Sequence, residues 1–483
     1  MRALNVILQA IGVSPCQENP SIESVVFDSR LAKENTLFVA LKGSNTDGHK
    51  FLQQVADQGC RYALVQEHVQ LPTNLSAFKV EDTRTALAQI ACDWFGHPSR
   101  HLKLIGITGT NGKTTTATLL YQLFSRLNKK VGLISTVVNK IGEEIIPSTH
   151  TTPDPFSINA LLRKMLDQGC EYCFMEVSSH AVDQKRIHGL IFTGAVFTNI
   201  THDHLDYHQT FAAYLKAKKS FFDALPNNAF ALTNRDDKNG EVMLQNCQAK
   251  HHTYALLSMA DFKAIVLENE LTGLVLKIQG TEVNTNLIGK FNAYNLLAVY
   301  SVGILLGIPE MEVLTALSTL ESVEGRFQFC KSLQGVTVVV DYAHTPDALE
   351  NVLKTIGSFH KKNQKTITLV GCGGDRDKSK RPEMAAIAQR LSDQVILTSD
   401  NPRTENPSSI LLDMQEGIDR ASQTPVLSIE DRKQAINTAS LLAKNGDVVL
   451  IAGKGHEKYQ EIMGVKHPFD DFKIATDFFN KTT

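Results

Sequence analysis

The sequence predicts an α/β fold of three domains, and three observations carry that prediction. At 483 residues the chain is too long for a single hydrophobic core, and length alone suggests about three domains. Short apolar runs alternate with helical patterns from about residue 100 to 327, and the alternation restarts near 328. The first of those runs leads into a glycine loop followed by Lys-Thr, at Gly109-Thr-Asn-Gly-Lys-Thr114. Such alternation builds parallel strands joined by crossover helices, with ligands gathered at the carboxyl ends of the strands.

The first domain is expected over residues 1–98, as a smaller N-terminal α/β domain. Its opening decapeptide, Met1 to Ala10, has one Arg and only a short apolar stretch, which reads as a helix rather than a secretion leader. Its strongest pieces are Phe27-Asp-Ser-Arg30, the apolar run Thr36 to Leu41, and the stretch 43–49; Trp94-Phe-Gly-His-Pro98 closes it. The central domain, 99–327, is expected to hold a P-loop-type parallel sheet. Strands are expected near 104–107, 131–135, 172–177, 194–198 and 229–233, with helices near 115–127, 156–168 and 211–223. The C-terminal domain, 328–483, is expected to be Rossmann-like. Its strands are Val336 to Asp341, Thr366 to Val370, Gln394 to Thr398 and Asp447 to Ile451; its helices are Pro346 to Ser358 and Ser379 to Arg390.

Composition excludes several classes of function. With 49 basic and 51 acidic residues the chain has no excess charge to recruit nucleic acid. No run of about 18 apolar residues is present, so no membrane-spanning helix is expected. The eight cysteines are scattered, and only Cys170 and Cys173 form a C-x-x-C, with no second pair at zinc spacing. They read as buried free thiols of a reducing cytoplasm. The expectation is a cytoplasmic monomer with small-molecule partners, and neither nucleic acid nor membrane.

Chemistry concentrates at strand ends. Leu104 to Ile107 reads as a buried strand, Gly109 and Gly112 as the loop, and Ala117 to Leu127 as the helix that follows. Glycines let backbone N–H groups approach phosphate oxygens, and the helix N-terminus adds positive charge. Lys113 reaches phosphates, and the Thr114 hydroxyl suits Mg²⁺. Only two residues separate Gly109 from Gly112, fewer than in the common phosphate loop. Glu176 closes another apolar strand, where a carboxylate can hold Mg²⁺ or simply face solvent. Thr201-His-Asp-His-Leu-Asp-Tyr-His208 suggests a metal or substrate site; His204 and His208 are four apart, but no thiolate supports zinc. Lys216, Lys218 and Lys219 lie on one expected helix, and such runs usually form a solvated face. Asp400-Asn-Pro-Arg403 offers an Arg that can bind a carboxylate bidentately, and Glu457 could bind an ammonium. Taken singly, these C-terminal loops are equally readable as turn chemistry.

Together these residues resemble the Mur ligase family, the ATP-dependent amino-acid ligases of peptidoglycan precursor synthesis, over nearly the whole chain. Gly-Thr-Asn-Gly-Lys-Thr-Thr at 109–115, Glu176, the Asn199 and His204 segment, Gly289-Lys-Phe-Asn-Ala-Tyr-Asn295 and Gly325-Arg326 are similar to its signatures. Asp28-Ser-Arg30, His150-Thr-Thr-Pro153, Asp341-Tyr-Ala-His-Thr-Pro346, Gly371-Cys-Gly-Gly-Asp-Arg-Asp377 and Gly453-Lys-Gly-His-Glu457 resemble the branch that adds the third residue of the peptide. Asp400-Asn-Pro-Arg403 is similar to the signature of members that add meso-2,6-diaminopimelate; lysine-adding members lack the Arg. Two departures stand out: Glu324 precedes Gly325 where Pro is frequent, and Ser379 stands where Gly is common.

The resemblance implies roles. ATP would be held by Gly109, Thr110, Asn111, Gly112, Lys113, Thr114 and Thr115, with Asn295, Arg326 and Asp341. Mg²⁺ would be held by Thr114, Glu176, His204 and Lys218, the last as a carbamate, and Lys113, Glu176, His204 and Lys218 would be catalytic. Ser29 and Arg30 would contact the uridine nucleotide; Thr151, Thr152, Ser178, Gln184 and Arg186 would hold the muramoyl-peptide. Arg376, Asp400, Asn401, Arg403, Gly453 and Glu457 would read diaminopimelate. The implied reaction joins diaminopimelate to UDP-N-acetylmuramoyl-L-alanyl-D-glutamate through an acyl phosphate. The rivals are a lysine-adding ligase, a folylpolyglutamate-type ligase and, outside ligases, a P-loop NTPase switch.

Overall fold

The structure is a computed structural model that describes residues 1–43, 46–270, 272–359 and 364–480. Residues 44 and 45 of the expected 43–49 stretch lie outside the described residues. The chain forms two compact units, one of residues 1–106 with 129–193, the other of 107–128 with 194–483.

The first unit opens on the expected helix, Leu4–Ala10, which buries Leu4, Ile7 and Leu8. Strands Ser24–Val26, Thr36–Val39, Tyr62–Val65 and Ser76–Lys79 then pair in parallel, in that order. Helix Thr83–Trp94 starts at Asp82, whose side chain accepts from the Arg84 N–H. Its C-terminal aromatic, Trp94, and the next residue, Phe95, pack on Phe156 of helix Pro155–Asp167. Strands Glu144–Pro147, Val138–Ile141, Val131–Ile134 and Tyr172–Glu176 lie side by side, the last pair parallel. Tyr172–Glu176 is wholly buried, as an apolar run covered on both faces must be. Cys170 and Cys173 are buried free thiols in this unit.

In the second unit the helix Lys113–Arg126 follows the glycine loop. Strands Gly194–Phe197, Phe230–Asn234, Lys250–Ala255 and Phe262–Glu270 run parallel. The sheet then turns antiparallel through Gly273–Ile278 and Thr281–Thr285, a meander absent from the sequence expectation. Helix Lys290–Leu305 is apolar on nearly every face and is accordingly buried.

A second sheet begins at 328, with strand order Gln328–Lys331, Thr337–Asp341, Val448–Ala452, Thr366–Val370, Gln394–Thr398, Val426–Ile429. All but the first are parallel. Side-chain alternation divides its core in two. Val339, Leu450 and Leu397 pack with Leu353 and Met384 of helices Pro346–Ser358 and Lys380–Leu391, while Val338, Val340 and Ile451 pack with Ile436 and Phe479 of Arg432–Leu442 and Asp471–Phe479. Helices therefore cover both faces, and the strand ends carry the polar loops.

Candidate active site

The phosphate loop lies between the buried end of its strand, Ile107–Thr108, and helix Lys113–Arg126. Gly112 takes φ +84, and a Cβ there would stand 2.6 Å from the Asn295 Oδ1; at Gly109 one would stand 1.9 Å from the Thr198 Oγ1. Both positions require glycine because the loop is closely wrapped by its neighbours. Asn199 holds the loop at Asn111, its Oδ1 accepting from the Asn111 N–H at 2.9 Å and its Nδ2 donating to the Asn111 carbonyl at 3.1 Å. Thr198 donates to that same carbonyl at 2.6 Å. The Asn111 amide in turn donates to Asp347 at 2.8 Å, at the start of helix Pro346–Ser358. Lys113 folds back so that its ammonium donates to the carbonyls of Gly109 and Thr110, each at 2.9 Å. Thr110 bonds to Tyr214 at 3.0 Å, and Thr115 is buried in the first helical turn.

Arg326 and Asn295 join the loop, and Asp341 lies within electrostatic reach of Arg326. Arg326 donates to the Thr114 hydroxyl at 3.1 Å and lies 4.4 Å over the Tyr342 ring, while its buried Nε has no hydrogen-bond partner among the described residues. Asn295 donates to Asn292 at 3.0 Å and accepts from Thr116 at 3.3 Å. Asp341 accepts the Phe327 N–H at 2.6 Å. Burial drives the Asp341 carboxyl up to about 6, against the pull of Arg326.

Of the three lysines, Lys218 is the one that is buried. Helical spacing turns it inward with Tyr214 and Phe221, while Lys216 stays exposed and Lys219 pairs with Asp223. Its ammonium donates to the Gly109 carbonyl at 2.8 Å and lies 4.7 Å from the Tyr214 ring. Burial, and then Lys113, push the Lys218 amine well below its ordinary value. His204 sits at φ +54, with its Nε2 3.4 Å from the Asp203 carboxylate. Burial alone would raise Asp203, but His204, His344, Lys380 and Lys113 outweigh it and hold the carboxyl down at about 2. Among the described residues no three of His, Cys, Asp and Glu gather as a metal cage. The Thr114 hydroxyl is an oxygen donor of the kind Mg²⁺ takes beside waters and phosphate oxygens. Lys218 as an amine brings no ligand; its neutral form is the one that can take up CO₂ and become a carboxylate-like donor.

The loops after Gln394–Thr398 and Val448–Ala452 meet in a second pocket of the same unit. Asn401 donates to Glu457 at 2.7 Å. Gly453, at φ +113, donates its N–H to the Asp341 carbonyl at 3.1 Å, and a Cβ on it would lie 3.1 Å from the Asp400 Oδ2. Arg403, itself at φ +51, donates to the Gly374 carbonyl at 2.6 Å and stands 3.9 Å from Glu461. Arg376 is exposed on its glycine loop. Gly325 takes φ +66, and a Cβ there would collide with the His456 N at 2.0 Å, so Gly325-Arg326 packs against the loop that carries Glu457. Ser379, by contrast, has φ −62, a helical value open to any residue, which explains why no glycine is needed there.

In the first unit, Thr152 donates to the Glu176 carbonyl at 2.9 Å and accepts the Ser178 N–H at 3.0 Å. Arg186 donates to the Thr152 carbonyl at 2.7 Å and to Gln184 at 2.6 Å. Glu176 accepts the N–H of Thr136 at 2.7 Å, and the Thr136 hydroxyl also donates to Thr151 at 3.0 Å. Thr151, Thr152, Ser178, Gln184 and Arg186 thus share one surface. Ser29 and Arg30 sit apart, in the turn after Ser24–Val26, where Arg30 pairs with Asp28 at 2.5 Å.

Residues 107–303 match the Mur ligase middle domain, and 325–455 match the Mur ligase, glutamate ligase domain. The chain belongs to the Mur ligase family. Among relatives of this Mur ligase is a Phocaeicola vulgatus protein named UDP-N-acetylmuramoyl-L-alanyl-D-glutamate–2,6-diaminopimelate ligase, 54% identical over 95% of each chain. A Bacteroides thetaiotaomicron protein of the same name is 52% identical over 99% of this chain and 100% of its own. A solved structure of an enzyme with that name is 32% identical, with a TM-score of 0.68 over 98% of both chains. The expected family, the α/β architecture with parallel sheets and the ligase class are therefore borne out. Sequence reasoning passed over Lys454, Asp347 and the buried Arg381, which donates to Glu405 at 2.8 Å and Asp413 at 2.7 Å. Of these only Lys454 left a local signal, a lysine between two glycines directly after an apolar strand.

Proposed function

We propose that this Mur ligase joins an amino group of meso-2,6-diaminopimelate to the D-glutamate side-chain carboxylate of UDP-N-acetylmuramoyl-L-alanyl-D-glutamate, at the expense of ATP, in the bacterial cytoplasm. One observation carries the reading: phosphate-loop and amine-pocket residues form a continuous surface in one unit. Thr114 bonds Arg326, Arg326 lies over the Tyr342 ring, Tyr342 packs at a tilt against His456 with ring centres 5.0 Å apart, and the Asp341 carbonyl accepts the Gly453 N–H. A phosphorylated acid and an incoming amine can meet on such a surface. The names of the full-length relatives point to the same substrates.

The chain's residues divide the work. Lys113, Arg326 and the loop amides hold the polyanion, and Asn295, packed close to Gly112, accepts from Thr116 of the following helix. Thr114, His204, Glu176 and a carbamylated Lys218 are the candidates to hold Mg²⁺. When bound, Mg²⁺-ATP supplies the phosphoryl group that turns the acid into an acyl phosphate, and the metal charge that offsets the approach of two anions. Asp400, Asn401, Gly453 and Glu457 hold the amine, and Arg376 and Arg403 read the rest of diaminopimelate, Arg403 taking the distal carboxylate. Thr151, Thr152, Ser178, Gln184 and Arg186 take the muramoyl-peptide, and Ser29 and Arg30 the uridine nucleotide. In this reading segments 1–98, 99–327 and 328–483 serve the nucleotide-sugar, ATP and the amino acid respectively.

Phosphate release with the uridine-linked dipeptide and ATP, offered diaminopimelate, lysine or no amino acid, tests the proposal. Release is expected with diaminopimelate and to be slight without an acceptor. Brisk acceptor-independent release would instead favour an NTPase switch.

A further inference from the structure

The pocket for the amine contains a cation with no task in the mechanism above. Lys454 is fully buried, with its ammonium 2.9 Å from the Asn401 Oδ1, 3.2 Å from the Glu457 Oε2 and 3.5 Å from the Asp400 Oδ1. A buried ammonium carries a high desolvation cost and persists only where its partners offset it. The Asn401 Oδ1 accepts both from Lys454 and, at 2.9 Å, from the Glu461 N–H. With its oxygen so engaged, the amide has one orientation, Nδ2 towards Glu457. Lys454 therefore sets Asn401 and grips Glu457 directly.

Charge gives the second half of the argument. Asp400 and Glu457 place two carboxylates around one ammonium, an excess of one negative charge. Among the described residues the buried Asp400 Oδ1 accepts no hydrogen bond. Burial and Asp400 already push the Glu457 carboxyl up from its ordinary value, and Lys454 opposes them. Without that cation nothing in the pair would offset the push of burial and Asp400 on the Glu457 carboxyl, and its hold on an ammonium would weaken.

We propose that Lys454 is a positioning residue for the acceptor: it orients Asn401 and Glu457 and offsets one of two carboxylates, leaving the other for the ammonium of the incoming amino acid. The inference rests on reading this pocket as the amino-acid site.

The test is Lys454→Met, which keeps an unbranched chain one atom shorter and removes the charge. The KM for diaminopimelate should rise about tenfold or more, as expected for loss of a buried charge-assisted hydrogen bond, while kcat and the KM values for ATP and the uridine-linked dipeptide stay within about threefold. An unchanged KM for diaminopimelate would overturn the proposal, as would an equal loss in all three KM values with a lowered melting temperature, the mark of a merely structural lysine. If Lys454→Met yields no folded protein, Lys454→Met with Glu457→Gln is compared with Glu457→Gln alone. A further change below about threefold is expected because the partner is already gone, and a further tenfold loss would overturn the proposal. Failure of the unmodified chain to respond to diaminopimelate would instead overturn the substrate reading; a responsive chain with an indifferent Lys454→Met would overturn the positioning role alone.

Discussion

Replacing Arg403 with alanine removes the cation assigned to the second carboxylate of diaminopimelate, a group lysine lacks. Opposite unit charges about 4 Å apart are worth about 4 kcal/mol near a protein surface and about 1 kcal/mol in bulk water. Arg403 falls between these limits. Its side chain is 23% exposed, it already donates to the Gly374 carbonyl at 2.6 Å, and Glu461 stands 3.9 Å away. Those contacts mean that bound lysine does not leave Arg403 wholly unpaired, so the discrimination is smaller than a bare buried cation would give. The net expectation is about 1.4–2.8 kcal/mol, a preference of roughly 10- to 100-fold for diaminopimelate. The assay is kcat/KM for each amino acid, followed by phosphate release. Arg403→Ala should bring the ratio below about threefold, mostly by loss with diaminopimelate. Gly373→Ala offers an independent check, because a Cβ there would stand 2.8 Å from the Arg403 guanidinium and displace it without altering its charge. An Arg403→Ala enzyme that still prefers diaminopimelate as the wild type does would refute the reasoning.

Three other perturbations test the phosphate site. Lys113→Ala should lower kcat on the order of 10²-fold or more, as removal of a preorganised charge does, with stability little changed; near-normal turnover would remove Lys113 from the mechanism. Lys218, whose buried amine is held well below its usual value, should carry a carbamate detectable by NMR with isotope-labelled bicarbonate, and Lys218→Arg should lose both the signal and most activity. For Asp341, raised from 3.8 to about 6, the folded state keeps a proton that the unfolded chain releases across that window. Stability should therefore fall as pH rises from about 4 to 6, by about 2–3 kcal/mol more in the wild type than in Asp341→Asn, read from denaturant midpoints; parallel pH profiles would contradict the assigned burial.

Local patterns made much of the fold legible. The strands Thr366–Val370 and Gln394–Thr398 fall where their apolar runs place them, and Pro346 and Pro155 mark helix starts through their fixed backbone angle. The strands Phe262–Glu270, Gly273–Ile278 and Thr281–Thr285 escaped because they bury only one face and mix charged with apolar residues, so no long apolar run marks them. The phosphate loop was legible because glycine, lysine and threonine act there through local geometry. Lys218 was not, since three neighbouring lysines look alike until the helix face against Gly109 is known. Lys454 and Asn401 are 53 residues apart, and Arg381 and Glu405 are 24 apart, so no local spacing could link them. The family resemblance supplied residue roles that spacing alone left open.

The central claim is that the surface joining Lys113 to Glu457 energises an acid by phosphorylation before an amine captures it. Heavy-oxygen labelling of the glutamate side-chain carboxylate tests this most directly. Attack on the terminal phosphorus places one labelled oxygen in the bridge, and displacement by the amine carries it away. The released phosphate should therefore contain one labelled oxygen per amide bond formed. Unlabelled phosphate, with all of the label left in the peptide and water, would contradict the account.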